Sequence, residues 1–240
     1  MKIFHIPVTL LILLGYLSCN KPYEEEEPLP TPNPKPSESV LTTKIYTQGA
    51  YTVVFKNNDP EFNALTRQEM VATFFSVYPK IVTRFNKDAA DTITFQIDVA
   101  YNGAAYASGS TATYSAKWMK DHPEDTDIVT HEVTHIVQSY PGGAGPGWIT
   151  EGIADYCRYK YGVENTGWSL PDYSSAQYYT DSYRVSARFF VWLEKTKGEA
   201  FIEDLNAAMH SKTYSDEFWN QKAGKSIPEL WDEYSKNPGI

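Results

Sequence analysis

The stretch "IVTHEVTHIVQSYPGGAGPGWITEGIADYCRYKYG", Ile128 to Gly162, restricts what this chain can fold into more than any other. Two segments with apolar residues at helical spacing flank "SYPGGAGPG", whose glycines and prolines cannot continue a helix and so reverse the chain. The spacing predicts helices over about 125–138 and 148–161, the second stopped by Gly162. Trp148, Ile149, Ile153 and Cys157 form the apolar face by which the second helix packs against the first. Within the first helix, a chain of five histidines places His131 and His135 four apart around Glu132.

On a helix, residues four apart differ by about 40° in direction and one turn in height. His131 and His135 therefore project from one face, and both imidazoles can reach a single ion. Zinc takes nitrogen ligands at about 2.0–2.1 Å, and a catalytic site uses three protein ligands with a fourth position open. Glu132 is turned about 100° from His131, beside such an ion rather than on it, where it can accept a proton from water. The third ligand is expected from "WITEGIADY": Glu151 opens the second helix, and Asp155 follows one turn later on the same side. A carboxylate at Asp155 can hold the far nitrogen of a ligand histidine and fix its tautomer. Calcium, which wants many oxygens, and structural zinc, which wants cysteines, fit worse. A histidine on a helix is often surface or satisfied core; the acidic pair in a second capped helix is the further condition that favours a metal.

"YTVVFKN" (Tyr51–Asn57) and "TITFQIDVA" (Thr92–Ala100) are β-branched and aromatic runs that predict strands, with "TATYSAKWM" (Thr111–Met119) as a third. Between the first two, Val71, Phe74, Phe75, Tyr78, Ile81, Val82 and Phe85 repeat at helical spacing, with Thr66 and Glu69 as an expected capping box and a kink expected at Pro79. Later helices are expected from about Ser182 to Lys197, stopped by Gly198, and around Pro228, capped by Ser226 and Glu229. Strands first and helices later, without regular alternation, predict an α+β fold.

The start of the chain reads differently. Lys2 precedes the apolar run "IFHIPVTLLILLGYL", which is short for a membrane span but suits a signal peptide over residues 1–18. "YLSC" resembles a bacterial lipobox, with the favoured Leu one place late, so Cys19 is the expected lipidation site; the alternative is a plain secretory signal ending near Ser18. "NKPYEEEEPLPTPNPKPSESV" then makes residues 19–40 an extended tether, and Glu24 to Glu27 also resemble signals that send some lipoproteins to the cell surface. The expectation is an extracytoplasmic, lipid-anchored bacterial membrane protein, with the globular domain over 41–240. With Cys19 acylated, Cys157 has no disulfide partner and is expected to be a buried, inert thiol. A net charge of −9 argues against a nucleic-acid partner.

"HEVTHIVQ", "GWITEGIADYCRYKYG", "YRVSARFFVWLEK" and "AGKSIPELWDEY" resemble the plant basic secretory protein family, whose bacterial members are classed as metallopeptidases of the gluzincin kind. "IDVAYNGAAYASGSTATYSAKWM" is similar to the strand region that family places before its active-site helix, so the likeness runs from about 41 to 237. The resemblance implies a zincin-like domain: a small N-terminal mixed sheet with an active-site helix, then a mainly helical C-terminal half. It implies Zn²⁺ held by His131, His135 and Glu151, Glu132 as general base, and Asp155 as the aspartate that follows the glutamate ligand. This chain departs from the family name in being acidic.

The oxyanion formed in peptide hydrolysis needs a donor opposite the base. Tyr183 is the first candidate, because related zinc peptidases use a tyrosine or histidine from a later helix; His210 is the second. Substrate is expected as an added strand at the sheet edge beside Thr111–Met119. The aromatic loop Asn165–Thr180 either walls the cleft or, as the favoured reading, covers the core. Arg158, Arg184 and Arg188 are expected in salt bridges or helix packing. "GKS" at Gly224–Ser226 is no phosphate loop, because Trp219 stands where the leading glycine is required. The function expected is a monomeric zinc metallopeptidase acting on protein or peptide outside the cytoplasm. The rivals are a membrane-anchored surface binding protein with a structural metal on the same scaffold, and a zinc hydrolase of non-peptide amides.

Overall fold

Alternating burial along the strands sets the sheet. In β2 (Tyr51–Asn57), Val53, Phe55 and Asn57 are buried between more exposed neighbours, and in β3 (Thr92–Asp98) the same holds for Ile93, Phe95 and Ile97. This is the period-2 pattern of strands with one covered face. The computed structural model describes residues 41–240; the expected signal peptide, Cys19 and the tether lie outside the described residues. Two strands the sequence reading did not separate complete the sheet with β5 (Thr111–Ser115): β1 (Thr42–Gln48) and β4 (Ala105–Ser108). The order is β1-β2-β3-β5-β4. β2, β3 and β5 run parallel, while β1 and β4 are antiparallel to their neighbours, so the sheet is mixed, as expected.

A parallel β2–β3 pair needs a crossover, and α1 (Ala64–Phe85) supplies it. Phe74 stacks on Tyr78 at 4.7 Å and meets Phe95 of the sheet edge-on at 5.7 Å. The expected capping box at Thr66 and Glu69 is not what starts this helix. Asn63 does, its side chain accepting from Leu65 N (2.7 Å) and Thr66 N (3.4 Å). Asparagine in extended backbone suits the N-cap as well as threonine does, and it comes three residues sooner. Two strand ends also shift. β3 stops at Asp98, and the run expected to Met119 breaks at Ser115, which caps α2 (Ala116–Asp121) by accepting from Trp118 N.

The second half is helical, as expected: α3 (Ile128–Gln138), α4 (Gly147–Tyr161), α5 (Tyr183–Lys197), α6 (Ala200–His210), α7 (Glu217–Ala223) and α8 (Ile227–Lys236). α3 starts three residues later than expected, because 122–127 is spent on turns that end at Asp127, whose buried carboxylate accepts from Val163 N and Thr130 Oγ1. Ser226 and Glu229 form the expected capping box of α8. α4 lies close against α5 at Gly152, where a Cβ would fall 2.7 Å from Ser186 Cβ and from the Phe190 ring. Trp148, Ile149, Ile153 and Cys157 are all buried, and burial pushes the unpaired Cys157 thiol up to about 12, which makes it inert at neutral pH. Among the described residues no helix is long and apolar enough to cross a membrane.

Candidate metal centre

α3 carries polar residues into the interior, and each must find a partner there. Every residue of α3 except His135 is buried. Thr130 donates to Asp127 Oδ1 (2.6 Å) and Thr134 to Thr130 O (2.7 Å). His131 Nδ1 donates to Asp155 Oδ1 at 2.7 Å, the contact expected of Asp155. Gln138 makes two bonds. Its Nε2 donates to Thr150 O (2.9 Å), so its Oε1 faces His135 and accepts from Nδ1 (2.8 Å). Both imidazoles thus have Nδ1 committed and Nε2 free.

The two Nε2 atoms face one another at 3.0 Å. Glu151 Oε2 stands 3.3 Å from Nε2 of His131 and 3.4 Å from Nε2 of His135. Three donors at these spacings match the edges of a tetrahedron, since ligands at about 2.05 Å from zinc lie about 3.3 Å apart. The donor set, two neutral-nitrogen ligands and one carboxylate, also suits zinc chemically. The residues present therefore fit such an ion, and among the described residues His131, His135 and Glu151 are the one group of this kind. The reason they meet is local on one side and tertiary on the other. Helical spacing aligns the histidines, whereas the antiparallel α3–α4 packing brings Glu151 to them.

Electrostatics follow from burial and from these contacts. Burial opposes a charge on His131, but the hydrogen bonds to Asp155 and Glu151 outweigh it and raise its pKa to about 10. Burial pushes Glu151 up, and its bonds to His131 and His135 more than reverse that, to about 2. Glu132 behaves differently. Burial raises its pKa, with the imidazoles opposing, and its Oε2 is buried with no hydrogen-bond partner. The Tyr114 hydroxyl from β5 is likewise buried and unpartnered, and burial and the Glu132 charge raise its pKa. Glu132 thus presents a carboxylate with one unpartnered oxygen that feels the charge of both imidazoles.

Tyr183 opens α5 at the rim of the same cleft, half exposed, its ring 6.1 Å from that of His131 and nearly parallel to it. The Glu151 charge first, then burial, raises its pKa, so the phenol keeps its proton and can donate. Its backbone is strained: Ser182 has φ 67° and ψ −177°, and Tyr183 φ 46°. These regions cost about 1–3 kcal/mol each for residues other than glycine, and such strain gathers at functional sites. His210 is not brought here. It ends α6, bonded to Asn86 (3.3 Å), and does not line the cleft.

The cleft encloses about 1240 Å³. One of its walls is β4, residues 105–108, which is one of the two edge strands of the sheet, the other being β1. The expectation that Thr111–Met119 offers that edge is therefore corrected: β5 is paired on both sides, with β3 and with β4. The strand was missed because four residues, Ala-Tyr-Ala-Ser, are too few to show an alternation. The aromatic loop divides its tasks. Trp168 lines the cleft and lies over Arg158, while Tyr173 and Tyr179 pack on Trp231, as the core-covering reading expects. Arg158 pairs with Asp125 and Arg188 with Asp172, also as expected. Gln138 is the functional neighbour that sequence reasoning missed, although it stands one helical turn from His135.

A family model described as BSP, peptidase of plants and bacteria, matches residues 49–234. Among solved structures, an aminopeptidase N family protein from Idiomarina loihiensis aligns with a TM-score of 0.55 at 12% identity, over 83% of this chain and 47% of its own. Aminopeptidase A from Legionella pneumophila aligns with a TM-score of 0.54 at 12% identity, over 80% of this chain and 27% of its own. A two-domain M1 zinc metallopeptidase bound to L-arginine aligns with a TM-score of 0.50 at 13% identity, over 81% of this chain and 51% of its own. The chain thus spans from 27% to 51% of the length of these three structures, and at such identities the likeness is one of fold. No curated protein matches the sequence.

Proposed function

Since the chain belongs to the BSP family, the peptidases of plants and bacteria, we propose that it is a zinc-dependent peptidase with His131, His135 and Glu151 as ligands and Glu132 as general base. The observation that carries this is the convergence of three donor atoms 3.0–3.4 Å apart, with an unligated, buried carboxylate next to them. A metal that only braced the fold would have no use for that carboxylate, which counts against the binding-protein reading.

Zinc, when bound, would supply a Lewis acid that acidifies water and polarises a carbonyl. The chain's own residues do the rest. Asp155 and Gln138 hold the two imidazoles by Nδ1, which fixes their tautomers and leaves Nε2 as ligand. Glu132 takes the proton of the attacking water and passes it to the leaving amine. Tyr183 donates to the oxygen on which charge develops. The β4 edge, residues 105–108, offers backbone groups with which an extended substrate can pair. α3 is in this reading the active-site helix.

The decisive experiment measures zinc per chain and cleavage of a broad peptide library by the zinc-loaded protein. About one zinc with cleavage supports the proposal; one zinc with no cleavage of any peptide or protein returns the structural-metal alternative. Tyr183→Phe is expected to lower turnover about 10²-fold with zinc content unchanged, and unaltered turnover would end that assignment. Gln138→Leu should weaken zinc about 10–100-fold in chelator competition, whereas Gln138→Glu, which still accepts from Nδ1 but cannot donate to Thr150 O, should recover only part of that loss. We also propose that the domain works outside the cytoplasm, held to a membrane by lipid on Cys19. The apolar start, the lipobox-like "YLSC" and the Pro/Glu-rich tether support this; recovery of the protein in the soluble cytosolic fraction would refute it.

A further inference from the structure

Two of the structural neighbours are named aminopeptidases, and an enzyme that trims from an amino terminus must hold an ammonium group, for which it needs an uncommitted acceptor. Of the four carboxylates lining this cleft, three are engaged. Asp125 accepts from Arg158 and from the Trp118 indole N–H (3.0 Å). Asp155 holds His131, and Glu151 faces both Nε2 atoms. Glu132 is left, in the position of the base. β4, the edge along which substrate can pair, has the sequence Ala-Tyr-Ala-Ser and brings no acid.

The cations differ in the same way. Arg158 is buried, paired with Asp125 and covered by Trp168, whose ring centroid lies 4.7 Å away. Arg184 also lines the cleft, is exposed, and makes no ion pair among the described residues. Its hydrogen bond is a long one, Nη1 to Ser169 O at 3.4 Å, which sets it at the Trp168 end of the cleft. It sits in the first turn of α5, where unpaired backbone N–H groups and the helix dipole add positive potential. The cleft, moreover, is lined past both ends of the His131–His135 turn: by Trp118 and Trp168 beyond the first, and by Tyr140, Gly145 and Met209 beyond the second. The lining therefore continues on both sides of the histidine pair.

We propose that the cleft takes the interior of a polypeptide rather than its amino terminus, with an acidic side chain of the substrate set against Arg184. This rests on the peptidase reading above and adds substrate class to it. Arg184 is a specificity-determining residue; its fork geometry matches a carboxylate, and the cleft holds no other unpaired cation.

The test uses peptides blocked by N-acetylation and C-amidation, random except for one Glu walked through each position, with a matched Gln series and a free-amine series. Zinc-loaded protein, Arg184→Gln and Arg184→Lys are compared, and products are read by mass spectrometry. Cleavage of blocked peptides, favouring Glu over Gln by about tenfold at one position relative to the cut, supports the proposal. Arg184→Gln should bring the Glu series down to the Gln series, and Arg184→Lys should restore part of the difference. Cleavage that requires a free amino terminus, or equal rates for Glu and Gln at every position, overturns the proposal while leaving the peptidase reading intact. No cleavage of any series by zinc-loaded protein overturns both.

Discussion

Glu132→Gln is expected to keep its zinc and lose peptide cleavage by about 10³-fold, within the range that a positioned acid–base group contributes. The argument is one of geometry. The three proposed ligands are complete without Glu132, whose Oε2 is buried and makes no hydrogen bond. An amide of the same shape fills the same space but cannot accept a proton. Burial penalises the Glu132 carboxylate, so the neutral variant should also hold its thermal midpoint. Zinc per chain, cleavage rate and thermal unfolding separate the cases. Zinc lost together with cleavage would make Glu132 a ligand or a structural anchor, and the assignment of a base would fall.

The largest effect on stability is expected far from the cleft, at Arg84. From the last turn of α1 its guanidinium reaches three other helices, α4, α5 and α6. Nε meets Glu203 Oε1 (2.9 Å), Nη2 meets Glu194 Oε1 (3.0 Å) and Glu199 O (3.1 Å), and Nη1 meets the hydroxyls of Tyr156 (2.7 Å) and Tyr161 (3.1 Å). Removing one partner of a buried pair leaves an uncompensated charge, at about 3–5 kcal/mol. Lys160 still holds Glu194 Oε2, so Arg84→Met should lie near the low end, about 3 kcal/mol. For a domain of this size that is a fall of about 6–12 °C in thermal midpoint. Arg84→Lys should recover only part, because one ammonium cannot serve so many acceptors. The pH dependence has a definite sign. Burial pushes the Glu194 carboxyl up, but its bonds to Lys160, Tyr156 and Arg84 hold it below the usual range. Its contribution is therefore present above the unfolded-state pKa and lost as pH falls, so the gap between wild type and variant should narrow below about pH 4. A shift under 2 °C, or a gap independent of pH, would contradict this account.

The parts of the molecule that could be read from sequence are those set by neighbours along the chain. His131 and His135 share a face because residues four apart on a helix do, and the Gly/Pro loop between Gln138 and Trp148 forces the chain back so that Glu151 meets them. The helix ends at Gly162 and Gly198 and the capping box of Ser226 and Glu229 lie where local chemistry puts them. Misplaced boundaries came from competing local solutions, as when Asn63 rather than Thr66 caps α1.

What needed the tertiary structure has partners remote in sequence. β4 is an edge and β5 interior only because a four-residue strand folds back onto β5. Gln138 is a second support for the histidines only because α4 offers Thr150 O to its amide. Tyr183 reaches the rim only through two residues in left-handed backbone that no glycine announces, and Arg84 is a hub only once α4, α5 and α6 have closed around it. Sequence by itself determined which groups could meet an ion, because helical periodicity is a property of adjacent turns. Packing decided the walls, the open edge and the unpaired charge of the cleft, because each depends on which surfaces remain uncovered after distant segments have met.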